Sequence, residues 1–487
     1  MENLVKKKLN RENSNTKALY PIKVVQFGEG NFLRAFVDYA FQRLNNEVNF
    51  NAGVAIVQPL SGGMVPMLND QDGLYTLFMN GVKKNEKIQN IELIKNVVKG
   101  INPYHDFQAY LDLAKEEELQ FIISNTTEAG IEFVDTDKLE MQPPVSFPAK
   151  LTVLLYERFQ YFNGDKSKGL TIIPCELINY NAATLKDIIL QYSDLWNLDN
   201  QFKNWLEKSC TYHNTLVDRI VPGYPRNEIE EYNYKLEYHD DLIVTAEPFF
   251  LWVIEGDDDL KQKLPFHKTD LNVKIVDDMQ SFRTLKVRIL NGAHTAMVPF
   301  SLLFGNETVR QTVDGAFTGN FVNHVIAEIN ETLPFDKNEV LAYSDEVMDR
   351  FRNPFIIHKL SDIALNTVSK FKVRVLPSLL QYVENNNSLP VHLVYSLACL
   401  IQFYKGTWKN EALPINDSAD IVAFFKEAWS SNDINSVTKA TLENTEFWEK
   451  DLTKIAGLTE AVVLALTEID VNGIEFGFLN FKNKCNS

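Results

Sequence analysis

The chain is poor in the residues that carry metal, disulfide or membrane chemistry. Its 487 residues include four cysteines, Cys175, Cys210, Cys399 and Cys485, spaced too widely to suggest a metal-ligand set or a disulfide framework. Its eight histidines are His105, His213, His239, His267, His294, His324, His358 and His392. None forms a His-x3-His pair or stands at ligand spacing from a cysteine, so no metal is expected and the pattern argues against a zinc-dependent alcohol dehydrogenase. No apolar run reaches the roughly 18 residues of a membrane span. Residues 1–15 are polar and lysine-rich with no apolar segment of a secretory signal, so a reduced, cytoplasmic setting is expected. Positive charge is also short. Against 65 Asp and Glu stand 48 Lys and Arg, a net charge of −17, which argues against a nucleic-acid partner. The same field would repel an anionic small molecule, so such a substrate would require a local cationic clamp.

What is present reads as an enzyme. With 45% hydrophobic residues, the chain can bury large cores and should form two or three domains. The stretch Lys286-Val-Arg-Ile-Leu-Asn291-Gly-Ala-His294 places a lysine, an asparagine and a histidine in one short segment. On an α-helix at roughly 100° per residue they fall at about 0°, 140° and 80°, so one face presents all three. Such a set could reduce a carbonyl without metal: Lys286 gives a proton to the nascent alkoxide while Asn291 and His294 polarise the oxygen. Near the N-terminus an apolar strand ending at Phe27 enters Gly28-Glu-Gly30-Asn31-Phe32-Leu33-Arg34, followed by a helical pattern through Phe36, Ala40 and Leu44. Gly28 suits a tight turn, and Gly30 lets a pyrophosphate approach the backbone at a helix N-terminus. The third glycine of the dinucleotide fingerprint is replaced by Leu33. A glycine-rich turn with no ligand is the duller reading.

Along the chain, apolar strand-like runs at 23–27, 53–58, 119–124, 170–175 and 242–246 alternate with helical patterns at 37–46, 107–115 and 148–162. That alternation predicts a doubly wound, Rossmann-like sheet over residues 1–275. Residues 77–98 suggest a hairpin insertion with Asn80-Gly81 at its turn. Beyond it, long periodic stretches at 280–303, 317–332, 338–353, 391–404 and 419–429 predict a mainly α-helical domain over 276–487, with the Lys286 helix facing the first domain across a cleft.

Further residues are candidates by position. The second strand ends in Gln58-Pro rather than in the acid that binds an adenosine ribose, so Gln58 is expected to take that hydroxyl. No arginine follows to hold a 2′-phosphate, which favours NAD over NADP. Asn125 and Thr126 follow the third strand, where a nicotinamide ribose would lie. Asn181, Asp218 and the basic clusters Arg350-Phe-Arg352 and Lys370-Phe-Lys372-Val-Arg374 are candidates for the substrate, because arginine can donate two parallel hydrogen bonds to a carboxylate. For Asp218-Arg219 a structural salt bridge competes, and for Glu247 a helix cap.

These residues resemble the polyol-specific long-chain dehydrogenase/reductase family, which includes mannitol dehydrogenases and hexuronate reductases. Lys286, Asn291 and His294 match its Lys-x4-Asn-x2-His motif, and Gly28-Glu-Gly30-Asn-Phe-Leu-Arg34 matches its cofactor turn. Longer words carry the likeness from about residue 20 to 377, among them Gln71-Asp-Gly-Leu-Tyr-Thr-Leu77, Ser146-Phe-Pro-Ala-Lys-Leu-Thr152, Val217-Asp-Arg-Ile-Val-Pro222 and Arg350-Phe-Arg-Asn-Pro354. The resemblance implies an NAD-dependent oxidoreductase acting on a sugar or sugar acid, with Phe27, Gly28, Gly30, Asn31, Phe32 and Arg34 at the cofactor and Lys286 as acid/base. Burial beside the cationic nicotinamide would lower that lysine's pKa. One departure stands out: where mannitol dehydrogenases carry an oxyanion asparagine after the acid of this word, here Glu176, this chain has Leu177, so that either Asn181 replaces it or Asn291 and His294 polarise the pocket alone. A nucleotide-binding protein that lost its chemistry is the other class, and the intact lysine set speaks against it.

Overall fold

A computed structural model describes residues 6–16, 19–83, 86–126 and 130–485. The chain divides into two compact units, one of Met1–Gly81 and Lys87–Met279, the other built on Gln280–Ser487.

The first unit is organised by a six-stranded sheet. Its strands are β1 (Ile22–Phe27), β2 (Gly53–Val57), β5 (Val97–Ile101), β6 (Phe121–Ser124), β7 (Thr171–Pro174) and β8 (Thr211–Tyr212), with β3 (Tyr75–Lys83) and β4 (Glu86–Ile94) inserted between β2 and β5. The order is β5-β2-β1-β6-β7-β8, and every pairing is parallel. Helices cover both faces, which explains the near-continuous apolar strands. Along β1, Val24 enters one core while Val25 and Phe27 enter the other, as a period of two requires. The helix Phe147–Tyr161 starts where Ser146 accepts a hydrogen bond from the Ala149 amide and Pro148 occupies the first turn. The strand order reverses between β1 and β6, and at that switch point a doubly wound sheet opens its binding crevice.

Two smaller sheets complete this unit. One has the order β10-β3-β4, with β10 at Val244–Ala246, and the other β12-β11-β9, with β9 at Thr215–Asp218, β11 at Leu251–Glu255 and β12 at Val273–Val276. The hairpin expected at 77–98 is displaced. Asn80 and Gly81 lie inside β3, where buried Asn80 donates to the Tyr232 hydroxyl at 3.0 Å. Residues 84–85, between the strands, lie outside the described residues. The run at 242–246 contributes to the sheet with β3, where β10 pairs in parallel, and not to the six-stranded sheet.

The second unit is helical. Its central helix, Val391–Phe403, is buried on every side, as its unbroken apolar sequence requires. The helix's first amides are satisfied by Glu328, which accepts from the His392 and Leu393 backbone N–H groups, each at 2.9 Å. The helices Gly292–Phe304, Ala316–Asn330 and Leu458–Cys485 pack around it.

Candidate active site

The glycine turn sits at the switch point. Gly28 has φ +121°, a conformation that favours glycine, and its N–H donates to the Val57 carbonyl at 3.0 Å. A Cβ at Gly28 would lie 3.1 Å from Leu33 Cδ1 and 3.2 Å from the Asn125 carbonyl oxygen. The ends of β1 and β6 therefore meet closely there, and the positive φ together with the tight space favours glycine. Gly30 is the opposite case: nothing lies within 4 Å of where its Cβ would be. A close turn followed by open backbone at a helix start is the cradle a pyrophosphate fits.

The helix after this turn departs from the regular pattern. Residues Asn31–Leu33 are α-helical, Arg34–Asp38 form a π-helix, and Tyr39–Val48 resume the α-helix. Arg34, expected at the cofactor, is buried and engaged by the protein. It donates to the carbonyls of Glu29 (3.2 Å) and Leu242 (2.6 Å) and to Asn31 Oδ1 (2.8 Å), and its guanidinium lies 4.9 Å from the Tyr75 ring. Arg34 and Asn31 thus shape the turn. Phe27 is buried against Tyr110 and Phe147, and Phe32 stacks on Phe36 at 4.9 Å.

Gln58, expected on a ribose, is fully buried and donates to the carbonyls of Leu60 (2.8 Å) and Ser61 (3.1 Å). It holds the loop after β2, leaving its amide N–H groups committed to backbone. That loop folds so closely that a Cβ at Gly63 would meet Glu29 Oε1 at 2.2 Å. Glu29 is largely buried, and burial raises its carboxyl pKa.

At the ends of β6 and β7 the side chains bind one another. Asn125 Nδ2 donates to the Cys175 carbonyl at 2.6 Å. Thr126 donates through its N–H (3.0 Å) and hydroxyl (3.1 Å) to Glu176 Oε1, and the Ser124 hydroxyl donates to Glu176 Oε2 at 3.0 Å. Asn181 does not stand in for an oxyanion residue. It is fully buried, its Nδ2 donates to the Pro174 (3.0 Å) and Glu176 (3.1 Å) carbonyls, and its Oδ1 accepts from the Thr215 amide at 3.0 Å. Asp218 is buried in β9. Its neighbour Arg219 donates to the Glu247 (2.9 Å) and Ala35 (2.6 Å) carbonyls and stacks on Tyr39 and Phe250, with its pKa lowered by burial to about 10. Glu247 accepts from the Ile220 amide at 2.6 Å and caps no helix.

In the second unit the lysine segment is not a uniform α-helix. Gln280–Leu285 is α-helical, Lys286–Asn291 is a π-helix, and Gly292–Phe304 is α-helical again. The 100° geometry expected for these residues is corrected accordingly. In a π turn the backbone bonds run i→i+5, so Asn291 follows Lys286 by one wide turn on the same side. Two π segments occur among the described residues, and they coincide with the two motifs.

Around this segment the structure gathers further groups. His294 is buried, with its ring 4.3 Å from Phe351 and 4.9 Å from His358. Burial lowers the His358 pKa, and Arg350 nearby lowers it further against the pull of Asp362. Gly292 admits the helix Thr367–Arg374, since a Cβ there would lie 3.1 Å from the Arg374 carbonyl. Lys370 and Arg374 share this helix and are half-buried, and burial lowers both pKa values. Lys370 Nζ donates to the Ile363 carbonyl at 2.9 Å, while Arg374 forms no ion pair among the described residues. Lys372, by contrast, pairs with Glu449 at 3.0 Å on the surface. No group of three or more His, Cys, Asp or Glu among the described residues is arranged to hold a metal.

The family is decided by comparison with known proteins. The mannitol dehydrogenase Rossmann domain matches residues 22–268, and the mannitol dehydrogenase C-terminal domain matches 278–470. The chain belongs to the mannitol dehydrogenase family. It is thus an oxidoreductase. It is 45% identical to an altronate oxidoreductase of Bacillus subtilis over 471 residues, covering 96% of this chain and 97% of that one. With a Bacteroides thetaiotaomicron altronate oxidoreductase the identity is 43%, over 96% and 98% of the two chains. Among solved structures, substrate-free D-sorbitol dehydrogenase shares the fold with a TM-score of 0.79 at 19% identity, covering 96% of this chain and all of that one. The mannitol 2-dehydrogenase of Pseudomonas fluorescens, solved with NAD and D-mannitol, gives 0.67 at 19% identity over 98% of this chain and 100% of its own. No helix among the described residues is long and apolar enough to cross a membrane.

Two residues of this mannitol dehydrogenase family member escaped the sequence reading. His358 was visible only as one of eight histidines, and nothing local signals that it would meet His294. Glu176 stood in a recognisable word, but its grip on Ser124 and Thr126 depends on β6 and β7 being neighbours.

Proposed function

We propose that the chain interconverts D-tagaturonate and D-altronate with NADH and NAD in hexuronate (galacturonate) catabolism. The observation that carries this reading is the cationic surround of the lysine segment. Arg350 acts on His358, whose ring lies 4.9 Å from His294, and the helix that carries Lys370 and Arg374 packs its backbone against Gly292, in a chain whose net charge is −17. Such a concentration of cations suits a substrate carboxylate. The near-full-length likeness to proteins named altronate oxidoreductase supports the same substrate.

Gly28, Gly30 and the helix beginning at Asn31 would hold the dinucleotide's pyrophosphate. When bound, the cofactor would supply hydride to the ketone carbon as NADH in reduction and take it up as NAD+ in the reverse direction. As the C=O electrons move onto oxygen, Lys286 gives its proton to that oxygen, and it takes a proton back during oxidation. Asn291 and His294 donate to the same oxygen and stabilise its developing charge. One or more of Arg350, Lys370 and Arg374 hold the carboxylate. NAD is favoured over NADP because the loop after β2 offers no arginine for a 2′-phosphate.

Comparing kcat/KM for tagaturonate, fructuronate and fructose tests the reading. Tagaturonate should lead, and Arg350→Ala or Arg374→Ala should shrink its advantage over fructose, since losing one partner of a desolvated charge pair typically costs ~2–5 kcal/mol. Equal efficiency on tagaturonate and fructose would make it a mannitol-type polyol dehydrogenase, and preference for fructuronate a fructuronate reductase. NADH binding without turnover of any of the three would leave a non-catalytic nucleotide-binding protein.

A further inference from the structure

We propose that Glu176 is an electrostatic positioning residue that favours the oxidised cofactor, its buried carboxylate stabilising the cationic nicotinamide of NAD+ over the neutral ring of NADH. The inference rests on the reading that a nicotinamide dinucleotide binds at the Gly28 turn. In a doubly wound sheet the two halves of a dinucleotide lie on either side of the switch point. With the pyrophosphate at Gly28 and the adenosine over β2, the nicotinamide half falls over the ends of β6 and β7. Glu176 lies two residues past the end of β7 and binds the turn that follows β6.

The hydrogen bonds suit a carboxylate. Ser124 Oγ (3.0 Å), Thr126 N (3.0 Å) and Thr126 Oγ1 (3.1 Å) all donate to the two carboxylate oxygens. Such a set suits an ionised acceptor: the Thr126 N–H can only donate, and the two hydroxyls are free to donate as well. Glu176 is only 2% exposed, and no Lys, Arg or His among the described residues forms an ion pair with it. Burial accordingly raises its pKa in spite of the donors. A buried anion without a cation is costly, and a cation arriving beside it offsets that cost. The oxidised nicotinamide carries such a charge and the reduced ring does not. The three hydrogen bonds also shape the turn, but that role is blind to the cofactor's oxidation state.

The test is to titrate the intact protein with NAD+ and with NADH at one pH and salt concentration. In Glu176→Gln, which keeps the size and removes the charge, the ratio Kd(NAD+)/Kd(NADH) should rise on the order of tenfold, the effect of a unit charge within about 10 Å at an effective dielectric near 20. Ser124→Ala removes a donor and keeps the charge, so its ratio should stay within about twofold of wild type. An unchanged ratio in Glu176→Gln, with both affinities falling together, would overturn the proposal and leave Glu176 a shaper of the turn. Should that variant fail to fold, Glu176→Met, of similar length and without charge, decides by the same ratio: a rise of that order supports the proposal and an unchanged ratio overturns it. Wild-type protein that binds neither nucleotide would overturn the cofactor reading itself, and this proposal with it.

Discussion

Replacing Asp38 by asparagine should change how stability depends on pH. Asp38 ends the π segment behind the cofactor turn and is completely buried. Its Oδ2 accepts from the Tyr75 hydroxyl at 2.8 Å, while Oδ1 is buried with no hydrogen-bond partner among the described residues. Burial pushes its carboxyl from the ordinary 3.8 up to about 7, although the Tyr75 hydroxyl, the Arg34 guanidinium and the Gln26 amide pull the other way. A folded-state pKa above the unfolded one means that the native protein holds this proton more tightly. The resulting stabilisation is complete below about pH 4, falls as pH rises, and is gone above about 7. At 1.36 kcal/mol per unit, a shift of roughly three units corresponds to on the order of 4 kcal/mol. Asparagine keeps an acceptor for Tyr75 and does not titrate. The unfolding free energy of Asp38→Asn minus that of wild type should therefore grow with pH by an amount of this order between pH 4 and 8. Denaturant or thermal unfolding of both proteins across that range measures it, and other titrating groups cancel in the difference. A difference that is flat with pH, or that falls, would refute the argument.

Lys286→Ala should lower turnover ~10²–10⁴-fold, the usual contribution of a general acid, with NADH affinity little changed; retention of a tenth of wild-type turnover would remove Lys286 from the mechanism. Gly30→Ala should fold with an unchanged melting temperature, because its Cβ meets nothing within 4 Å, yet bind NADH more weakly. Gly28→Ala should lower stability itself, by about 1–3 kcal/mol for forcing a side chain into φ +121°, which a melting curve will show. Prolonged chelation should leave activity intact, and loss restored by zinc alone would contradict the lysine mechanism.

The elements and the motifs were legible from the amino-acid order alone, because both depend on short-range patterns. The apolar runs ending at Phe27, Val57, Ser124 and Pro174 became neighbouring parallel strands, and the long periods after residue 280 became helices. The glycine turn was legible because backbone that needs φ +121° restricts its residue choice. Other features required the tertiary structure. Asn80-Gly81 carries a hairpin signal, yet pairing with β10 and the contact with Tyr232 hold it inside a strand. The π turns at Arg34–Asp38 and Lys286–Asn291 depart from regular helical geometry, which periodicity at 100° per residue cannot register. Whether a polar side chain can meet a ligand was decided by its long-range partners. Gln58, Arg34 and Asn181 look available in the sequence, but each is buried among backbone groups that it satisfies. Glu176 and His358 gain their places from strands and helices distant in the chain, because a buried polar group is defined by whatever folds against it.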